Sequence, residues 1–301
     1  YRYSSTPPAV CAFSVPHTNG LASGNVLEEA ICHALCEVIE RDAVSIGDLC
    51  SSSIPYHILL KIVESLKTGE IGQTFNDDLP LGNSFVDDPG IFPDIIVSEN
   101  IDGAKPIKQL IKQFDNAGIP LLLKDITQKD IGIPTILASC VEWVTHDYGY
   151  FAKGFAAHPD VRIALMRALT EVSQTRAVNI HGARDDLKRM QYRQDEEIYR
   201  RKWQFMPAAS TSPRTNDNQG YTVNICEIKT HVNQDIFDDI RLILSRLKRA
   251  RLKRAIIVDL TNPNIGVPVV RVIVPGLETF EVTGSVMGKR AKKFFQNLYR
   301  A

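Results

Sequence analysis

At 301 residues, with 44% hydrophobic and 23% charged, the chain has the size and composition of one large globular domain or two ordinary ones, and it can bury a sizeable core. Lys and Arg total 35, as do Asp and Glu, so net charge gives no argument for a nucleic-acid partner or an anionic membrane. No apolar run nears the roughly 18 residues that a membrane span requires, and no signal peptide is visible; a cytoplasmic protein is expected, with neither membrane nor nucleic acid as partner.

The chain opens on Tyr1 in a short, polar, Pro-rich stretch, so material upstream of Tyr1 is expected to be missing. Periodicity then predicts a helix over 27–45 and another over 55–67, followed by a loop-rich stretch holding Gly69, Gly72, Pro80, Gly82, Pro89 and Gly90. A strand at 94–98, a helix at 107–117 and a strand at 120–126 come next. The runs 133–143 and 148–157 alternate around His146-Asp147 and predict a hairpin. A strong helix is expected over 160–178, with Pro159 placed for its first turn. The charged segment 187–205 reads as an exposed helix, and 207–220, rich in Ser, Thr, Asn and Pro, as a surface loop. Strands at 221–229 and 255–260 flank a helix at 235–251. A strand at 267–274 and a helix at 285–299 close the chain. Helices and strands mix without strict alternation, which predicts an α+β fold.

The densest chemistry lies on the first helix and the loop before it. Asn25 suits an N-cap, with Glu28 three residues later as in a capping box. Gly20 and Gly24 would let the backbone approach a ligand, and free N–H groups at the helix start could receive phosphate. At about 100° per residue from Glu29, Cys36 falls near −20°, Glu40 near +20°, His33 near +40° and Glu37 near +80°. Leu27, Ile31, Leu35, Val38 and Ile39 gather on the opposite side as a core stripe. The plain reading of the acidic stripe is a solvated face. Against it, no lysine precedes Lys61, and Arg41 is the helix's single base. Two carboxylates about 6 Å apart at an effective dielectric of about 20 repel by roughly 3 kcal/mol, which favours a bound cation. Oxygen ligands suit magnesium. A zinc site on Cys32, His33, Cys36 and Glu40 is the weaker alternative, because Cys32 sits toward the core side.

On the helix over 160–178, Arg167, Glu171 and Gln174 share one face, opposite Val161, Leu165, Ala168, Leu169 and Val172. Arg167 could meet a phosphate, with Glu171 or Gln174 holding it; the plain alternative is an exposed Arg167–Glu171 ion pair. Arg176 and Arg184 follow. His158 is expected to pack or cap, and the six cysteines to be buried free thiols. The basic run 248–254 reads as a solvated face. No P-loop, kinase loop, GxSxG elbow or HExxH occurs.

These residues resemble a known family. The string Asn19-Gly20-Leu21-Ala22-Ser23-Gly24-Asn25, running into Glu28-Glu29-Ala30 and Glu37-Val38-Ile39-Glu40-Arg41-Asp42, resembles the YcaO proteins. So do Gly154–Pro159, Ala164–Glu171, Gln174–Arg176, Gly182–Asp186 and Pro268–Glu278, in the family's order along nearly the whole chain. The resemblance implies a YcaO-type α+β domain over 1–301, with 1–186 carrying the ATP and magnesium helices and 187–301 a C-terminal portion. It implies magnesium on Glu29, Glu37 and Glu40, phosphate oxygens on Arg41 and Arg167, and nucleotide against Asn25 and the Ala22–Ser23 backbone. His33, Glu171, Gln174, Arg176 and Arg184 would support them. Ala22 stands where some members have Ser, and His33 where some have Gln. The family's earlier SxxxExxER segment and its Gly-Lys-Gly stretch do not occur before Asn19.

The activity implied is ATP-dependent phosphorylation of a backbone amide oxygen in a peptide or protein. A sulfide donor then yields a thioamide; a neighbouring Cys, Ser or Thr yields an azoline. The Asn19–Asn25 wording resembles members that work with a TfuA-like partner and thioamidate a glycine of methyl-coenzyme M reductase. The basic helix at the end, without a Pro-rich tail, agrees with thioamide formation. A homodimer is an expected assembly, and no general base stands out. A non-catalytic YcaO-like scaffold and an ATP-grasp-like ligase are the other readings.

Overall fold

One long helix lies between two sheets, and its central turns are buried on nearly every side. The computed structural model describes residues 17–51, 92–97, 105–140, 152–181, 222–279 and 288–298. In chain order the elements are β1 (Leu21–Ser23), α1 (Leu27–Ser51), β2 (Asp94–Ile96), α2 (Lys105–Asn116), β3 (Leu121–Asp125), β4 (Thr135–Cys140) and β5 (Ala152–Ala157). They continue with α3 (Val161–His181), β6 (Thr222–Asn224), a 3-10 turn (Ile225–Glu227), α4 (Ile236–Arg249), β7 (Ile256–Asp259), β8 (Val269–Ile273) and α5 (Lys289–Leu298). The expected α+β class is what the chain adopts.

The larger sheet has the order β5-β4-β3-β2-β6, antiparallel except for the parallel β2–β6 pair. The smaller has the order β1-β8-β7, all antiparallel. Helix α3 covers β4 and β5, with Val161, Ala164, Leu165, Ala168, Leu169 and Val172 buried as its periodicity predicts. Helix α1 packs on β1 and β8 from one side and on α4 and β5 from another. Ala30, Cys32, Ala34, Leu35, Cys36, Val38 and Ile39 are therefore all buried, whereas Leu27, assigned above to the core stripe, is 40% exposed. In the larger sheet the buried Lys124 pairs with Asp94 at 2.7 Å, directly across the β2–β3 register. Phe294 of α5 stacks on Phe92, with ring centroids 6.3 Å apart.

The predicted hairpin strands pair as expected, from Thr135↔Ala157 to Cys140↔Ala152. Two elements differ. The strand expected over 221–229 stops at Asn224, because a capping box turns the chain there: the Asn224 side chain accepts from Cys226 N, and Glu227 accepts from Asn224 N. Residues 21–23, expected as loop, form β1, whose partner β8 lies almost 250 residues away in sequence. Cys32, Cys36 and Cys140 are buried free thiols, but Cys226 is exposed. The helices expected at 55–67 and 187–205, and the loops at 69–90 and 207–220, lie outside the described residues.

Candidate functional site

The start of α1 is built differently from the expected cap. The helix begins at Leu27, as the periodicity predicts, so Val26 rather than Asn25 directly precedes it and Glu29, not Glu28, occupies the third helical position. Its Oε2 accepts from Asn25 N at 2.6 Å and from Asn25 Nδ2 at 2.9 Å. Those bonds hold the Glu29 carboxyl below its ordinary range, with His33, one turn on, adding to the effect. Asn25 is thus a donor here, and its N–H is already used. The two glycines approach protein rather than open space. A Cβ at Gly20, whose φ is +76°, would stand 2.1 Å from Val272 O, and one at Gly24 would stand 2.6 Å from Ala30 N. Ala22 is half-buried on β1, while Ser23 and Asn25 are exposed beside it.

Two turns further along, α1 and α3 bring opposite charges together. Glu40 is only 6% exposed, and burial pushes its carboxyl up to about 8. The neighbouring Arg41, 3.3 Å away, works against this rise, while Glu171 and Glu37 add to it. Glu37 is half-buried; burial raises its proton affinity too, opposed by Arg41, Arg167 and the Gly20 N–H that hydrogen-bonds it. Across from them, Glu171 Oε2 accepts from Phe155 N at 2.7 Å. The ion pair considered above between Arg167 and Glu171 does not form among the described residues. Arg167 is instead a half-buried cation whose field reaches Glu37, Glu40, Cys36 and His158.

Glu37, Glu40, Arg41, Arg167 and Glu171 are therefore gathered, and Glu29, His33 and Asn25 stand apart at the helix start. Gln174 is exposed and Arg176 half-buried further along α3; Arg184 lies outside the described residues. His158 packs as expected: its Nδ1 accepts from Asp160 N at 3.0 Å at the entry to α3. Cys32 and Cys36 hydrogen-bond each other, and no three Asp, Glu, His or Cys side chains among the described residues converge to hold a metal, so neither the zinc set of Cys32, His33, Cys36 and Glu40 nor the full triad of Glu29, Glu37 and Glu40 is assembled. The donors contributed by Gly20 N and Phe155 N were not legible in the sequence, since backbone groups carry no residue signature.

Glu37 and Glu40 supply oxygen donors of the kind that magnesium takes, as a partial set of two carboxylates. The buried Glu40 carboxyl, pushed up to about 8, would exchange its proton for a cation. Magnesium keeps several sites for water and phosphate oxygens, and so does not need a closed protein cage. Two guanidinium groups alongside suit the phosphates.

Comparison with known proteins identifies the family. The family model described as YcaO cyclodehydratase, ATP- and Mg2+-binding, matches residues 1–67 and 91–278. A protein of Methanothermobacter thermautotrophicus is 33% identical over 95% of this chain and 62% of its own length. A Rhizobium leguminosarum bv. trifolii protein, described by its place in the tfuA 3' region, is 31% identical over 91% of this chain and 56% of its own. The chain thus spans about three-fifths of the relatives it matches. In fold it is similar to the YcaO protein of Methanopyrus kandleri bound with AMPPCP and Mg2+, with a TM-score of 0.62 at 23% identity, over 94% of this chain and 61% of that one. ATP and Mg2+ are the cofactors of the family that this match identifies, and the chain belongs to the YcaO family.

Proposed function

We propose that the protein uses ATP and magnesium to activate a backbone amide of a peptide or protein, leading to a thioamide. The observation that carries this reading is the group formed by the buried Glu40 and the half-buried Glu37 and Glu171 beside Arg41 and Arg167. Glu37 and Glu40, joined by Glu29 once it leaves Asn25, are the magnesium ligands. Arg41 and Arg167 meet phosphate oxygens, and Asn25 with the Ala22–Ser23 backbone lines the nucleotide. Magnesium supplies neutralisation of the phosphates and polarisation of the transferring phosphoryl group.

The chain's own residues place and neutralise charge. Arg167, half-buried and without an ion pair among the described residues, offers a cation where negative charge develops. Glu171 ties its helix α3 to the Phe155 backbone on β5. In the reaction, sulfide adds to the amide carbon, and the amide oxygen takes the γ-phosphoryl group as ADP departs. The oxygen then leaves as phosphate, and the carbon–sulfur double bond forms. An external sulfide donor and a TfuA-like partner belong to this reading, which the Asn19–Asn25 wording and the description of the Rhizobium relative support.

With a neighbouring Cys, Ser or Thr as nucleophile the same activation gives an azoline, a reading that the family's description as a cyclodehydratase favours. Mass spectrometry of the product made with ATP, sulfide and partner separates the two, since only positioning selects the nucleophile. Exchange of oxygen for sulfur adds about 16 Da, and cyclisation with loss of water removes about 18 Da. Loss of water without sulfur gain would overturn the thioamide reading.

A further inference from the structure

Two buried carboxylates, Asp42 and Glu278, and the half-buried Arg290 tie α5 to α1 just beyond the candidate site. The Asp42 side chain has no exposure. Arg290, on the first turn of α5, clamps it with Nε to Oδ1 at 2.9 Å and Nη2 to Oδ2 at 2.9 Å. The same guanidinium holds Asp130, in the β3–β4 loop, through Nη1 at 2.6 Å and Nη2 at 3.1 Å. Asp42 Oδ1 also accepts from Glu278 N at 2.8 Å. The buried Glu278 carboxylate in turn caps α5, accepting from Gly288 N at 2.7 Å and Ala291 N at 2.9 Å. The bidentate pair fixes angle as well as distance.

Its place on α1 gives the reason. Asp42 follows Glu40 and Arg41 directly, and two residues on a helix turn through about 200°, so Asp42 projects from the side opposite Glu40. The site grips one face of this turn, and Arg290 grips the other. From this geometry we infer that Arg290, through Asp42, is a positioning residue for Glu40 and Arg41: it fixes the rotation of α1 that presents both to magnesium and nucleotide. The inference rests on the function proposed above for that site.

The test compares Arg290→Met, Arg290→Lys and Phe294→Ala in the protein. Phe294→Ala removes the stacking of α5 on Phe92 and leaves the clamp intact. Two readouts are taken: amide hydrogen exchange along α1, and affinity for MgATP by calorimetry. If the clamp positions the site, Arg290→Met speeds exchange across residues 37–44 and weakens MgATP at least tenfold. Arg290→Lys, which keeps the charge without the fork, recovers part of both effects. Phe294→Ala leaves both near the parent even where its melting temperature falls as far. Equal effects of Arg290→Met and Phe294→Ala on exchange and affinity would overturn the inference, leaving Arg290 with docking alone. Should the parent itself fail to bind MgATP, the proposed function fails. Exchange then decides the clamp by itself: faster exchange over 37–44 in Arg290→Met but not Phe294→Ala sustains it, and no difference ends it.

Discussion

Glu171 on α3 accepts a 2.7 Å hydrogen bond from the backbone N–H of Phe155 on β5, so a charged side chain of the candidate site is also the bolt between helix and sheet. The bond depends on Gly154, the preceding residue. A Cβ there would stand 2.3 Å from Ala168 O and 2.4 Å from Val172 N, both backbone atoms that cannot swing away. Gly154→Ala is expected to push α3 off β5, at a cost of about 1–3 kcal/mol of overpacking. Arg167 and Glu171 would be displaced together. Chemical denaturation should show the loss, and MgATP affinity should fall with it; an unchanged denaturation midpoint would contradict the packing described.

Glu40→Gln removes a buried acid without changing its shape. Turnover of ATP should fall at least tenfold, or roughly 1.4 kcal/mol in the barrier. Glu37→Gln should act in the same direction. Both variants should remain folded by circular dichroism, since neither carboxylate bridges core elements. Unchanged turnover in both would remove them from the site.

The raised proton affinity of Glu40 has a consequence for stability. Its carboxyl titrates near 8 in the folded protein, against an ordinary value of 4.5. Between those values the folded state holds more protons than the unfolded state, so stability falls as pH rises. Asp42, raised by burial to about 6 despite Arg290, contributes in the same direction at the lower end of the range. Without magnesium or nucleotide, Tm should decline from pH 5 to pH 8, and Glu40→Gln should remove most of the decline. Magnesium with ATP should protect more at pH 8 than at pH 5, because it displaces a proton at the lower pH.

How much of this was legible in the sequence follows from where each piece of information resides. The α3 core stripe, from Val161 to Val172, was readable because a single period dictates it, and every predicted residue is buried. The pairing of β4 with β5 was readable from alternation on either side of a turn. For α1 the period misled in part: packed by sheets and helix on several sides, it buries Ala30, Ala34 and Cys36 as fully as Leu35, and leaves Leu27 out. The clustering of Glu37, Glu40 and Arg41 was visible from helical spacing. Their meeting with Arg167 and Glu171 came only with the resemblance and the fold, since nothing local links residues 130 positions apart. Glu29 shows the limit of spacing. It lies on the same stripe as Glu40, yet in the first turn of the helix its carboxylate turns back to accept from Asn25.

The central claim is that an amide oxygen receives the phosphoryl group of ATP. A substrate peptide whose amide oxygens carry a heavy isotope tests it, with the protein, ATP, magnesium, sulfide and partner present. The account predicts one labelled oxygen in the inorganic phosphate for each amide modified, and none in water. It also predicts that Glu40→Gln lowers labelled phosphate and modified peptide in the same proportion, because both arise from one transfer step. Modified peptide formed while the phosphate stays unlabelled would contradict the account.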